Sequence, residues 1–131
     1  MVTSPYSRTV TVSVPATSAN LGPGFDCLGL ALDLRNEVTV SADGPIVAVD
    51  DGQETVYEVR VSGVDAAKVP ADRSNLLIEA AGALFRRAGR RPARLSVDMV
   101  NAIPVGSGLG SSSSAIVAGL LAANAIIDAG Y

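Results

Sequence analysis

"IPVGSGLGSSSSAIVAGLLAAN", residues 103–124, places three glycines at alternate positions, then four consecutive serines, then an uncharged apolar run. Glycine at 106, 108 and 110 lets the backbone enter conformations closed to other residues and turn successive N–H groups into one concavity. A helix beginning at the serines adds unpaired first-turn N–H groups and the positive end of its dipole. Together these make an anion site suited to phosphate. The serine hydroxyls can contact phosphate oxygens or complete the coordination of Mg2+. The apolar run behind them, with Ile116, Val117, Leu120, Leu121, Ile126 and Ile127, is expected to be a helix of about 111–128, buried nearly all round.

Three better-known loops do not fit. A Walker A loop needs Lys and then Ser or Thr after its last glycine, whereas Gly110 is followed by Ser111 and Ser112. The dinucleotide fingerprint needs a glycine where Ser111 stands. A nucleophile elbow needs a serine flanked by glycines two residues away on both sides, and none occurs. Taken alone, the loop is equally readable as a glycine-rich turn with a serine cap before a core helix.

The rest of the composition narrows the field. With 131 residues, 48% of them apolar, the chain is read as one folded domain. Its net charge of -3 argues against nucleic acid or an anionic membrane as partner. Five of its ten basic residues fall in "RRAGRRPAR", but no aromatics interleave them, and a solvated helix end is the preferred reading. The absence of histidine excludes a Ser-His-Asp or Cys-His pair within the chain and any His-based metal site. Cys27, the single cysteine, is expected as a small buried hydrophobe in a reducing, cytoplasmic setting. No signal peptide or membrane-length apolar run is visible, so a soluble protein is expected.

Period-two alternation marks a strand at residues 8–14, which Pro15 is expected to stop. "LGLALDL" and "NEVTVSA" read as further strands, ending at the turn signal "DGP". "IVAV" and "TVYEVRVSG" are expected to pair as a hairpin across "DDGQ". "DRSNLLIEAAGALFRRAG" reads as a helix capped by Ser74 or Asp72 and stopped by Gly89, with Leu77, Ala80, Ala81 and Leu84 on one face. "ARLSVDMV" is a last strand, on which Asp98 should face solvent. The order implies an α+β domain, a mixed or antiparallel sheet packed on helices.

A second polar loop, "PATSANLGPGFDCLGLAL", gathers Thr17, Ser18, Asn20 and Asp26 around Gly22 and Gly24. Asn20 can donate and accept, and Asp26 offers a carboxylate to a cationic or hydroxyl group; a self-contained Asx-turn network is the alternative. The two loops together resemble the motifs of the GHMP kinases. "PVGSGLGSSSSA" is similar to that superfamily's phosphate loop, and "SNLLIEAA" to its helix start. Galactokinases and mevalonate kinases carry Gly-Glu-His where this chain has "ATSANLGPGFDCLGLAL", which resembles the homoserine kinase version.

The resemblance implies a GHMP kinase N-terminal, ATP-binding domain over residues 1–131, with the C-terminal domain absent. It implies that Pro104, Val105, Gly106, Ser107, Gly108, Leu109, Gly110, Ser111, Ser112, Ser113 and Ser114 wrap the phosphates of ATP. Ser112 (or Ser111) would reach Mg2+, Asn75 would sit beside the adenine, and Asn20 and Asp26 would hold L-homoserine. The implied reaction moves the γ-phosphoryl group of ATP to the side-chain hydroxyl of homoserine, a step of threonine biosynthesis, without a dedicated carboxylate base. A homodimer is the implied assembly. The chain departs from the family pattern in carrying Asn101 where a Lys usually precedes the loop. A non-catalytic nucleotide- or phosphate-binding module, or a kinase for another small alcohol, are the competing readings.

Overall fold

The computed structural model describes residues 7–19, 22–49 and 52–131. Four strands form one mixed sheet: β1 (Arg8–Ala19), β2 (Gly29–Ala48), β3 (Val56–Gly63) and β4 (Arg90–Asn101), in the order β1-β2-β4-β3. β1 pairs antiparallel with β2, β2 antiparallel with β4, and β3 parallel with β4. Two helices, α1 (Leu76–Ala88) and α2 (Ser111–Ile127), cover one face. The expected α+β class is what the chain adopts.

Alternation decides which face they cover. Val12 and Val14, Val38, Val40 and Ala42, and Leu95, Val97 and Met99 point inward from three strands onto Leu77, Ile78, Ala81, Leu84 and Phe85 of α1 and the inner face of α2. The opposite face carries hydroxyls: Thr9 bonds Ser41 at 3.0 Å and Thr11 bonds Thr39 at 3.1 Å. Asp98 faces solvent as expected, 4.0 Å from the Arg60 guanidinium.

Several local expectations fail for identifiable reasons. Pro15 does not end β1, because β1 is an edge strand, where a missing N–H is tolerated; only the register shifts between Pro15 and Thr17. The "DGP" signal does not end β2. Pairing with β4 resumes beyond it, from Ile46 opposite Pro92, and the turn residues are absorbed as an irregularity. The 46–49 segment therefore pairs with β4, and β3 runs parallel to β4 with α1 as the crossover, so no hairpin forms across 50–53.

α1 starts one residue later than Ser74 would place it. Asn75 is the cap, its side chain accepting from Leu77 N at 2.9 Å, while Asp72 accepts from both the N and Oγ of Ser74. Gly89 ends the helix in the left-handed region, φ 73°. α2 is not buried all round. Its inward face is small around Ala118, Gly119, Ala122 and Ala123, because α2 packs so close to α1 there that a Cβ on Gly119 would collide with the Leu77 carbonyl oxygen; Ile126 and Ile127 are buried at its far end. The large side chains Ile116, Val117, Leu120 and Leu121 consequently point outward. Cys27 is exposed, at the end of the short 3-10 helix Gly22–Cys27.

Candidate functional site

One end of the sheet collects both sequence motifs. β4 delivers the chain at Asn101, and the loop 102–110 carries it to α2. Gly106, Gly108 and Gly110 all lie at positive φ, 72°, 75° and 79°, so the alternation of glycines is a conformational requirement. Gly110 has a second constraint: a Cβ there would collide with Thr17 Oγ1. Thr17 N also donates to Leu109 O at 2.9 Å, so the polar loop that holds Thr17 is fastened to the glycine loop.

The loop is braced from below by three buried or half-buried polar side chains. Asn36, 6% exposed, accepts from Ala102 N at 2.7 Å and Ile103 N at 3.0 Å. Its Nδ2 donates to Ser114 Oγ at 3.4 Å, and that hydroxyl donates to Ser111 O at 2.7 Å. Asn101 is buried and donates to Val64 O at 2.6 Å and to Ile103 O at 3.0 Å. Asp65 accepts from Val105 N at 3.1 Å. Within the loop Ser107 Oγ donates to Pro104 O at 2.7 Å. Polar partners at every turn of an irregular segment are what let it hold one shape.

The two helix starts at this end differ. α1 is closed by Asn75, which is 2% exposed, accepts from Leu77 N, and donates to Pro70 O at 2.7 Å and to Met99 Sδ at 3.4 Å. α2 is open. Gly110 has no side chain to cap it, and the first helical bond is Ser114 N to Gly110 O at 2.8 Å. The N–H groups of Ser111, Ser112 and Ser113 precede that bond, Ser112 and Ser113 are exposed, and no acidic residue lies in the first turn. An uncapped helix start behind three left-handed glycines has the geometry and dipole to receive an anion.

The other expected residues are placed unequally. Pro104 through Ser114 form one continuous wall, although the Ser114 side chain is buried within the brace. Asn75 joins this end of the molecule through Met99, two residues before Asn101, with its amide used in capping. Asn20 lies outside the described residues, as does the Asp26 side chain; the Asp26 backbone belongs to the 3-10 helix. Asn101, read as a missing cation, is a latch between β4, the loop and the segment after β3. Asn36 and Asp65 have no sequence signal, because a lone Asn within a strand or a lone Asp just after one carries no motif.

Among the described residues no cluster of three His, Cys, Asp or Glu could hold a metal ion. Mg2+ accepts few protein ligands, and side-chain oxygens available to it at this loop include the hydroxyls of Ser112 and Ser111. Among the same residues no helix is long and apolar enough to cross a membrane. Of the arginines of "RRAGRRPAR", Arg90 donates to Asp128 O at 2.8 Å, Arg87 stacks 5.7 Å over Tyr131, and Arg86 and the buried Arg91 line a cavity. That cavity, of about 570 Å³ and lined also by Thr55, Tyr57, Arg73 and Phe85, lies elsewhere. Tyr57 pairs with Leu95, whereas Gly63 pairs with Asn101. Six residues of strand, about 20 Å, separate the cavity from the loop end.

The family model "GHMP kinases N terminal domain" matches residues 75–131. A homoserine kinase from Symbiobacterium thermophilum is 48% identical over 119 residues, which are 91% of this chain and 34% of that protein. One from Crocosphaera subtropica is 40% identical, with 91% of this chain and 36% of that protein covered. The crystal structure of a homoserine kinase from Cytophaga hutchinsonii superposes with a TM-score of 0.71 at 28% identity, covering 94% of this chain and 36% of that one. The chain thus spans about a third of the length of the curated relatives it matches. The part that carries α1, β4, the glycine-serine loop and α2 matches the GHMP kinase N-terminal domain, and the fold is that of the homoserine kinase structure it superposes on.

Proposed function

We propose that this chain is the nucleotide-binding part of a homoserine kinase, which transfers the γ-phosphoryl group of ATP to the side-chain hydroxyl of L-homoserine. The observation that carries the reading is the open start of α2 behind Gly106, Gly108 and Gly110, in a chain 48% identical to a homoserine kinase. Phosphoryl transfer asks the protein chiefly for in-line positioning and charge neutralisation. The backbone from Pro104 to Ser113 holds the phosphates through N–H groups, and Asn36, Asn101 and Asp65 keep those groups from moving as charge shifts during transfer.

Mg2+, when bound, neutralises phosphate charge; Ser112 (or Ser111) is the residue that would touch it. Asn75 serves the adenine side of the site by fixing the chain between Pro70 and Leu77. Asn20 and Asp26 hold homoserine, with Asp26 as partner to its ammonium or hydroxyl, and Thr17 keeps their loop against the phosphate loop. A place in threonine biosynthesis, in the cytoplasm, follows from the same reading.

The test is a chimera joining residues 1–131 to the remainder of the Symbiobacterium enzyme, assayed for ADP release with MgATP. Homoserine-dependent ADP, lost in Asp26→Asn with MgATP binding retained, is the expected result. MgATP binding without ADP release from homoserine or any other small alcohol would overturn the kinase and leave a nucleotide-binding module.

A further inference from the structure

α2 has 17 residues and not one charge; Ile126 and Ile127 at its end are buried in the core, but four large apolar side chains before them point away from it. Ile116, Val117, Leu120 and Leu121 are 41, 44, 39 and 52% exposed. Their spacing of one, three and one residues puts them on a single outward stripe, while Ala118, Gly119, Ala122 and Ala123 pack inward. A solvated helix face is ordinarily polar, and a contiguous exposed apolar patch marks an interaction surface. α1 shows the ordinary arrangement in the same layer: Glu79, Arg86 and Arg87 occupy its exposed positions.

What covers the stripe is indicated by length. The Symbiobacterium and Crocosphaera relatives are matched over only 34% and 36% of their own chains, so most of their polypeptide has no counterpart in these residues. A face with no charge to steer a transient partner suits a permanent, largely apolar interface. We infer that the face of α2 formed by Ile116, Val117, Leu120 and Leu121 is the seat of the polypeptide that the relatives carry beyond the matched third. Ile116 stands five residues from Ser111, about 8 Å along the helix axis, so polypeptide seated there abuts the open helix start. The inference rests on the kinase reading for what is docked, but its tests need no catalysis.

The first test titrates this chain with the separately expressed remainder of the Symbiobacterium enzyme and follows the complex by sedimentation. A one-to-one complex is expected, weakened at least about tenfold by Val117→Lys and by Leu121→Lys, as for buried apolar anchors. Glu37→Lys, on the exposed face of β2, should leave it unchanged. Equal binding by the lysine variants overturns the proposal. So does self-association of this chain that those lysines abolish without any mixed complex, which would assign the face to a second copy. The second test uses the chimera carrying Leu121→Cys, with alkylation at that position read by mass spectrometry. The introduced thiol should react at least about tenfold more slowly there than in the 131-residue chain, the protection expected of a packed interface. Equal rates overturn the proposal, whether or not the chimera turns over substrate.

Discussion

Asn36 Nδ2 lies 3.4 Å from Ser114 Oγ, while Asn36 Oδ1 receives the N–H groups of Ala102 and Ile103. One side chain on β2 therefore holds the loop where it leaves β4 and where it enters α2. Asn36→Leu orphans two buried N–H groups, each worth about 1–3 kcal/mol. Urea unfolding should show a loss of about 2–6 kcal/mol on that basis. MgATP affinity should fall with it, by about tenfold for each 1.4 kcal/mol of loop ordering lost. Stability lost with affinity unchanged would mean that the loop keeps its shape without the brace.

Gly108 and Gly110 separate two costs. Both sit in the left-handed region, but a Cβ on Gly108 meets open space and one on Gly110 meets Thr17. Gly108→Ala should lose about 1–2 kcal/mol from backbone strain alone. Gly110→Ala should lose that and about 1–3 kcal/mol more from overpacking, and should also loosen the contact between the two motifs. Equal losses in thermal unfolding would show that Thr17 simply moves aside.

Gly119 tests the closeness of α1 and α2. Alanine in mid-helix is favoured over glycine by about 1 kcal/mol. Here its Cβ would collide with the Leu77 backbone carbonyl and press within 3.1 Å of Ala80 Cβ. Backbone cannot yield cheaply, so overpacking of about 1–3 kcal/mol should win, and Gly119→Ala should be net destabilised. A raised melting temperature would contradict this packing.

These residues mark where sequence patterns were informative and where they stopped. The glycine-serine alternation located the loop and the start of α2 because each glycine is locally required. Gly89 did the same for the end of α1. β2 ran through "DGP" because strand pairing with β4 outweighs a local turn preference, and no periodicity in β2 reports its partner. The outward face of α2 was illegible because a helix apolar on every side does not say which side is covered. That is set by the contact of Gly119 with α1. Asn36 and Asp65 were invisible for want of any pattern.

Tyr57 should titrate late. Burial raises its phenol above 10.0, opposed by its hydrogen bond with Thr55 and by the charges of Arg73, Arg86 and Arg91. The neutral form is the one the fold favours, so the stability this contributes is present below pH 10 and lost as pH rises through the raised value. Phenolate absorbance should show one of the three tyrosines lagging, and Tyr57→Phe should remove that component. Three coincident titrations would contradict the burial.

The most direct test of the account is an amide NMR titration of the 131-residue chain with MgATP. Shifts should centre on Gly106, Gly108, Gly110 and Ser111 through Ser113, be reproduced in part by Mg-tripolyphosphate, and leave Tyr57 and Arg73 unmoved. Shifts centred on the Tyr57 cavity, or none at the open start of α2, would contradict it.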